Sequence, residues 1–360
     1  MSEFPRFRPK QTTAFQKVLH QRIESFLQGK EIRPTASFEL FFKALVMFAV
    51  YLGPFALILF VPMSAPIALL LWAVMGLGMA GIGMNVMHDA LHGSWSKKAW
   101  VNRVFGDSIY LLCGNPFTWK VQHNYLHHTF TNIKGLDEDV EVRGLMRLHK
   151  EDPWKPMHRH QHLYGPFLYS LLTLNWAVTK DFTQMRRYWK KGLLKRFNQE
   201  LSVQMTKLVI GKLVYFGLFI ALPLVVSPQA WWISLLGWLI MHLVGGFVLS
   251  AVFQLAHVVR DAEQPGWAGE DIETNWMEHQ LRTTCNFSMS KKWVTWCTGG
   301  LNHQIEHHLF PYISHAHYPA LSQIVKQTAE EFGIPYYAEP GVRSALSNHF
   351  RTLRTLGSAA

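Results

Sequence analysis

The sequence predicts an all-α integral membrane protein in which four transmembrane helices carry a cytosolic helical cap. The chain has 360 residues, 49% of them hydrophobic and only 16% charged, whereas a soluble domain usually carries about 25% charged residues. Two long stretches, residues 44–88 and 213–259, contain no Lys, Arg, Asp or Glu. Many of the 19 histidines lie close together in three short segments, which indicates a specific site in the cap.

The two charge-free stretches predict the transmembrane helices. Each is about twice as long as the roughly 20 residues that cross a bilayer as one helix. Each is interrupted near its middle, by Pro62 and Pro66 in the first and by Pro223 and Pro228 in the second. We therefore predict two helical hairpins, with transmembrane helices at about residues 38–61, 66–87, 207–226 and 231–257.

The distribution of charge predicts the topology. The 35 Lys and Arg lie in residues 1–43, 89–212 and 260–360, outside the hairpin turns. The positive-inside rule then puts both termini and the cap in the cytosol, and in a bacterium the membrane would be the inner membrane. The net charge of +11 would face anionic lipid headgroups or an acidic partner. Because these residues are dispersed and no recognition module is visible, no nucleic-acid partner is expected.

The remaining segments complete the expected organisation. Residues 1–37 form a cytosolic amphipathic segment with a helix within residues 10–30, residues 38–335 form the membrane domain, and residues 336–360 form a C-terminal tail with a loose end. Apolar segments at 104–117 and 164–179 are too short to span a bilayer and are expected at its surface. A last helix is expected at residues 318–332.

Three histidine boxes carry the chemistry: HDALH at 88–92, HNYLHH at 123–128 and HQIEHH at 303–308. Spacings of three or four residues place side chains on one helix face, so two imidazoles can bind one metal ion. Adjacent histidines point about 100° apart on an α-helix and can serve different ions. Together with His257, at the cytosolic end of the fourth predicted helix, the boxes hold too many ligands for one ion. The cap is therefore expected to carry a di-metal site.

The ligand type narrows the choice of metal. Imidazole suits zinc, copper, iron and nickel, but zinc hydrolases generally need three protein ligands per ion. Cys113, Cys285 and Cys297 form no C-x-x-C pair, which argues against a thiolate site. A many-histidine pair of ions suits a redox metal that activates oxygen and removes hydrogen from an unactivated C–H bond. An acyl chain could reach such a site between the helices.

Histidines outside the boxes are expected to have other roles. His242, inside the fourth helix, should be packed or hydrogen-bonded. The sequence does not decide whether His315 and His317 support the metal ligands or have a purely structural role. The remaining positions are expected at the surface or against headgroups: His20, His149, His158, His160, His162 and His349.

The boxes resemble a known family. HDALHGSW, QHNYLHHTFTN and GGLNHQIEHHLFP are similar to the three histidine boxes of the membrane fatty acid desaturases. The form QIEHHLFP resembles the front-end and linoleoyl-CoA desaturase branch, in which Gln replaces the first His of the third box. Stretches such as NIKGLDEDVE, FQLAHVV and WMEHQLRTTCNF match that branch as well. The resemblance implies four transmembrane helices, a cytosolic di-iron centre, and insertion of a double bond into an acyl chain with O2 as co-substrate. The acyl chain would be carried by CoA or by a lipid.

The resemblance also implies a ligand set. It places metal ligands at His88, His92, His123, His127, His128, His257, His307 and His308, with Gln304 as the ninth. The spacing of the second box would instead select His303 for that ninth position. No catalytic residue beyond the metal ligands is predicted.

Electrons are expected from a separate protein, such as a ferredoxin or a small cytochrome with its reductase. The sequence contains neither a His-Pro-Gly-Gly haem motif nor a G-x-G-x-x-G nucleotide fingerprint. One alternative function is a fatty acyl or lipid hydroxylase on the same histidine scaffold. Alternatives of another class are a non-enzymatic bis-His haem membrane protein and a transporter. A haem protein needs histidines paired at one depth on facing spans, and a transporter needs polar groups near mid-bilayer.

Overall fold

The computed structural model describes residues 4–8, 12–29, 38–141 and 144–358. In the first half of the chain the helices are α1 (Ala14–Gly29), α2 (Phe38–Phe60), α3 (Ala65–His92), α4 (Ala99–Gly106), α5 (116–130), α6 (Gln161–Ser170), α7 (172–190) and α8 (Leu193–Arg196). In the second half they are α9 (Leu201–Val226), α10 (Trp231–His257), α11 (Trp276–Thr283), α12 (Lys292–Cys297), α13 (Gln304–Leu309), α14 (Tyr318–Glu331) and α15 (Val342–Gly357). Two short strands, β1 (Cys285–Phe287) and β2 (Tyr337–Glu339), pair in parallel.

Within the described ranges, four helices are long and apolar enough to cross a membrane: α2, α3, α9 and α10. This confirms the predicted all-α membrane fold, and the bounds of α2 and α10 agree with the prediction within one residue. Helix α3 runs on to His92 rather than ending near residue 87, because the first histidine box continues the same helix. Helix α9 begins at Leu201 rather than at residue 207, so a polar first turn precedes its apolar part.

Helix α3 lies between α2 and α10, and glycines permit the close approach. A Cβ atom at Gly78 would lie 2.7 Å from the backbone nitrogen of Tyr51 on α2. A Cβ atom at Gly76 would lie 2.6 Å from the backbone oxygen of Met241 on α10. Within its most apolar window α3 is 61% buried, against 22% for α9. The most enclosed span is therefore the one that carries the first histidine box at its C-terminal end.

The N-terminal segment contributes to the cap. As predicted, it contains an amphipathic helix, α1, whose buried residues Phe15, Leu19 and Ile23 share one apolar cluster with Leu321 and Val325 of α14. Helix α13, which carries the third histidine box, packs into the same cluster. Residues 30–37, the end of the predicted N-terminal segment, lie outside the described residues.

The expectation of a loose C-terminal end is wrong. Helix α15 packs against α6 and buries a stripe with a four-residue repeat: Ala345, His349, Leu353 and Gly357. His349 is therefore not a surface residue, since its ring contacts the Tyr169 hydroxyl at 2.9 Å and the Val258 carbonyl oxygen at 2.8 Å. These residues recur with the helical period, and this pattern in the sequence was a signal that α15 packs against the rest of the protein.

Two other histidines expected at the surface are buried for a similar reason. His149 lies 3.3 Å from the Pro265 carbonyl oxygen, and His158 lies 3.1 Å from the Gly144 carbonyl oxygen. Each ring thus meets its hydrogen-bonding requirement at a backbone carbonyl oxygen, as buried polar groups usually do. His160 is exposed, as predicted. His242 is packed and hydrogen-bonded, as predicted, with the Tyr215 hydroxyl 2.7 Å from its Nε2.

Candidate metal centre

Two of the histidine boxes adjoin π-helical turns. Residues Gly83–Met87 form such a turn directly before His88, and Lys120–His127 form another that contains His123 and His127. A π-turn closes its hydrogen bonds from residue i to residue i+5 and is frequent at functional sites. The wider turn changes the direction in which each side chain leaves the helix. The angle of about 100° between adjacent side chains, which holds for an ideal α-helix, therefore does not apply to the second box.

Four histidines form the first group, which we call group A. The possible ligand nitrogens of His88, His92, His123 and His307 lie within 4.8 Å of one another. The residues come from α3, α5 and α13, three elements that are far apart in the sequence. Group A is thus a product of the tertiary fold, and no single box could form it.

Three histidines form group B: His127, His257 and His308, again with possible ligand nitrogens within 4.8 Å of one another. They come from α5, α10 and α13. His128 lies between the groups, with its ring centroid 4.6 Å from that of His307 and 4.4 Å from that of His308. The structure therefore brings together all eight histidines singled out from the sequence.

The unpaired nitrogens of the cluster fit bound metal. Several buried ring nitrogens have no hydrogen-bond partner among the residues that the structure describes, namely His92 Nε2, His127 Nε2, His128 Nδ1, His257 Nδ1 and Nε2, His307 Nε2 and His308 Nε2. A buried polar atom without a partner costs about 1–3 kcal/mol, so native proteins rarely keep such atoms unpaired. A cluster of so many unpaired ring nitrogens is the arrangement expected of ligands that face a cation.

The electrostatics of the cluster also suit metal binding. Burial, and then the neighbouring imidazoles, lower the pKa of His123, His128, His307 and His308 well below the ordinary value. These rings are therefore neutral at physiological pH, the protonation state that binds metal. Burial also lowers the pKa of His127, but the Asp137 carboxylate outweighs it and raises the pKa above the ordinary value.

Hydrogen bonds behind the rings fix their orientation. His127 Nδ1 donates to Asp137 Oδ2 at 2.9 Å, and His308 Nδ1 donates to Gln280 Oε1 at 2.8 Å. Each bond leaves the lone pair on Nε2, directed into group B. Asp137 is itself held by the backbone N–H groups of Asn132 and Asp139, at 2.8 and 2.9 Å.

A second hydrogen-bonded chain supports the first box. His315 Nδ1 donates to Asp89 Oδ2 at 2.7 Å, and the Lys43 ammonium lies 3.0 Å from His315 Nε2. Asp89 directly follows His88 in the sequence. His315, whose role the sequence left open, thus holds the helix turn that carries His88, the first histidine of group A.

The third box distinguishes Gln304 from His303. Helix α13 begins at Gln304, so His303 precedes the helix, and its ring approaches the Thr295 hydroxyl at 3.4 Å. His303 belongs to neither histidine group. Both side chains are buried, and among the described residues Gln304 Oε1 and His303 Nδ1 each lack a hydrogen-bond partner. Of the two, Gln304 lines the same cavity as His88 and His123. Gln304 is therefore the residue that adjoins group A.

That cavity measures about 570 Å³. Much of its wall is apolar, formed by Met84, Met87, Leu168, Leu172, Leu249 and Phe253. Charged residues line another part of the wall: Glu138, Asp139, Glu141, Lys180 and Arg187. A molecule with an apolar chain and a polar end would fit these two kinds of wall, with part of the chain beside the histidines.

Comparison with known proteins identifies the family. The sequence profile described as fatty acid desaturase matches residues 64–340, which is well over half of the chain. The chain belongs to the fatty acid desaturase family.

Relatives of this desaturase match along nearly its whole length. It is 30% identical to the sn-1 linoleoyl-lipid 6-desaturase of Synechocystis sp. over 97% of each chain. It is 30% identical to the protein of the same name from Arthrospira platensis, over 95% of this chain and 92% of the relative. It is 32% identical to the acyl-lipid (8-3)-desaturase of Physcomitrium patens, over 95% of this chain and 72% of the relative.

These findings fix the class of protein. The desaturase is a membrane protein, and its family and histidine cluster make it a metal-dependent oxidoreductase that desaturates acyl chains. The front-end branch inferred from the third box is confirmed by relatives such as a Delta(5) fatty acid desaturase of Dictyostelium discoideum. The alternatives of a hydroxylase, a haem protein and a transporter are not favoured.

Several residues of this desaturase site escaped the sequence reasoning. Asp137 and Gln280 lie inside stretches that resemble the family, but their contacts with His127 and His308 join segments folded together only in three dimensions. A carboxylate ten residues after a box histidine was the one available signal for Asp137.

Proposed function

We propose that this chain is an oxygen-dependent, front-end acyl-lipid desaturase that binds two iron ions and receives electrons from a separate protein. The observation that carries the proposal is the pair of histidine groups that adjoins a cavity with an apolar wall and a charged wall. The names of the relatives from Synechocystis sp. and Physcomitrium patens describe lipid-linked acyl substrates, which supports a lipid rather than CoA as the carrier.

The proposed ligands follow the two groups. One ion is held by His88, His92, His123 and His307, with Gln304 beside them, and the other by His127, His257 and His308. His128 lies between the groups and completes one of the two coordination shells. Iron bound there would supply the oxidising power to remove hydrogen from an unactivated C–H bond.

The cavity wall supports the choice of substrate. Apolar residues such as Met84, Leu172 and Phe253 line it together with His88. Transfer of each methylene from water to such a surface is worth about 0.8 kcal/mol. The wall can thus bind and align an acyl chain and exclude water from the reacting carbons. Correct alignment of the reacting atoms is itself a large part of a catalyst's effect.

The reaction requires electrons from outside. Formation of one double bond removes two hydrogen atoms from the acyl chain, and reduction of one O2 to two waters needs two further electrons and two protons. A ferredoxin or a small cytochrome with its reductase would deliver these electrons. The Lys and Arg outside the spans support an acidic donor that binds the cytosolic face, and in a bacterium that membrane would be the inner membrane.

Expression in a host that lacks the product tests the proposal. Mass spectrometry of the fatty acids should show a new double bond near the carboxyl end of the acyl chain, and the His307→Ala variant should show none. A hydroxylated fatty acid instead would support the hydroxylase and overturn desaturation. A Soret band in the purified protein would show a haem protein.

A further inference from the structure

In the part of the chain that the structure describes, the charged wall of the cavity contains two opposite charges without ion-pair partners. Glu138 pairs with Arg187 and accepts a hydrogen bond from the Tyr188 hydroxyl at 2.8 Å. Asp139 faces His123 Nδ1 at 3.4 Å and accepts a hydrogen bond from Gln122. Among the described residues, Lys180 and Glu141 form no ion pair with any group or with each other.

Both unpaired side chains are held in place by other contacts. The Lys180 ammonium lies 4.9 Å from the centroid of the Trp176 ring, a cation–π distance. Trp176 lines the cavity as well. Glu141 Oε1 accepts a hydrogen bond from the Gly135 backbone N–H at 3.1 Å. A cation and a carboxylate thus line one cavity, and each retains capacity for a ligand.

The two unpaired charges of the wall limit the kind of ligand. Three carboxylates and two cations line the cavity, and Glu138 and Arg187 pair with each other. A polyanionic group such as coenzyme A would leave the Glu141 carboxylate without a cation. A group with one phosphate and one ammonium would satisfy both Lys180 and Glu141, because each charge could pair with an opposite one.

The charged wall is also close to the histidines. Asp139 contacts His123 of group A, and Glu138, the partner of Arg187, is the next residue in the chain. A polar headgroup bound at this wall would therefore lie near group A, with only a short part of the acyl chain between them. This geometry agrees with desaturation close to the carboxyl end.

We propose that Lys180 and Glu141 form a binding subsite for the headgroup of a zwitterionic glycerophospholipid, with the phosphate at Lys180 and the ammonium at Glu141. The inference rests on the proposed function, because this phospholipid would be the substrate that carries the acyl chain. It makes phosphatidylethanolamine the simplest probe.

Binding can be measured without turnover. Native mass spectrometry of the purified full-length protein would follow titration with phosphatidylethanolamine, phosphatidylglycerol and a monogalactosyl diacylglycerol of identical acyl chains. The wild type should bind phosphatidylethanolamine most tightly. Lys180→Met should bind both phospholipids about tenfold more weakly, since a charge-assisted hydrogen bond is lost, and should bind the galactolipid unchanged. Glu141→Gln should weaken the binding of phosphatidylethanolamine alone.

Matched variants distinguish lipid binding at the subsite from the non-specific binding of the lipid that surrounds any membrane protein. Lys190 is an exposed lysine on the same helix, α7, and does not line the cavity, so Lys190→Met should bind like the wild type. Lys180→Arg keeps the charge and should retain most of the affinity. Equal binding of the three lipids by the wild type would overturn the subsite. So would an equal loss of affinity in Lys180→Met and Lys190→Met.

A turnover experiment distinguishes this inference from the proposed function. In an expressing host, pulse-labelled acyl chains would be followed by mass spectrometry of each lipid class. The new double bond should appear first in phosphatidylethanolamine, and Lys180→Met should reduce that early product about tenfold relative to Lys190→Met. Equal appearance in all lipid classes would overturn the subsite alone, whereas first appearance on acyl-CoA would overturn both the subsite and the lipid carrier of the proposed function. No product in any class would overturn the proposed function itself.

Discussion

Asp137 shows how one carboxylate can position a proposed metal ligand, His127. Its Oδ2 accepts hydrogen bonds from His127 Nδ1 and the Asn132 backbone N–H, and its Oδ1 accepts one from the Asp139 backbone N–H. The side chain is fully buried. An asparagine in its place would have one oxygen for these three donors and would present an NH2 group to at least one of them.

Asp137→Asn should therefore lower metal affinity, activity or both by about 10- to 100-fold, the usual effect of losing a partner behind a metal-bound histidine. Metal content and activity would be measured on the same preparations. Asp261→Asn, at an exposed position, is the control and should behave like the wild type. Full metal content and full activity in Asp137→Asn would show that this hydrogen bond does not position His127.

The adjacent residues His303 and Gln304 should differ in their effect. Gln304→Ala should lose most activity, because Gln304 adjoins group A. His303→Ala should cost about tenfold or less, because the His303 ring contacts Thr295 instead. Activity and iron content of the two variants would be measured side by side. Iron lost from His303→Ala but kept by Gln304→Ala would reverse the assignment.

Among the helices, a buried ion pair connects α5, α7 and α9. The Lys212 ammonium of α9 contacts Asp181 Oδ2 of α7 at 2.8 Å and donates to the carbonyl oxygens of Cys113 and Trp176. Asp181 Oδ1 accepts a hydrogen bond from Thr118 of α5 at 2.7 Å. Since α5 carries the second histidine box, this pair connects a peripheral span to the candidate metal centre.

Lys212→Met should destabilise the protein by about 3–5 kcal/mol, because it leaves the Asp181 charge buried without a cation. The double variant Lys212→Met/Asp181→Asn should recover part of the loss, since it removes the uncompensated charge. Thermal unfolding of the purified protein in detergent would measure both, with Lys207→Met at an exposed position of α9 as the control. No difference between the single and double variants would refute the electrostatic explanation.

The spans and the histidine boxes were predictable because each depends on local sequence. Charge-free stretches gave α2 and α10 within one residue, and the three boxes together with His257 contained the eight clustered histidines. The π-turn at Lys120–His127 was not predictable, since it depends on packing around α5. Nor was the hydrogen bond from His308 to Gln280, which joins residues 28 positions apart. The packing of α15 was missed although its four-residue repeat was visible.

For the whole molecule, we predict about two iron ions per chain after anaerobic iron loading, bound by nitrogen ligands. Chelation should abolish activity but leave most of the helical circular dichroism, because burial of apolar surface, rather than metal, stabilises α2, α3, α9 and α10. His127→Ala, His128→Ala and His307→Ala should likewise reach the membrane and be inactive. Elemental analysis that finds a single zinc ion, with no iron uptake, would contradict the di-iron centre.

The contribution of α13 to both histidine groups has a consequence for biosynthesis. The four spans are complete at His257, but group A requires His307 and group B requires His308. During translation, both hairpins can enter the membrane before either group has its last histidine. We therefore expect the nascent chain to be inserted as an apoprotein and metal to be incorporated late in maturation. A premature stop codon shortly before residue 307 would leave a stably inserted protein in which both groups are incomplete at once, so such an allele would be null rather than partially active.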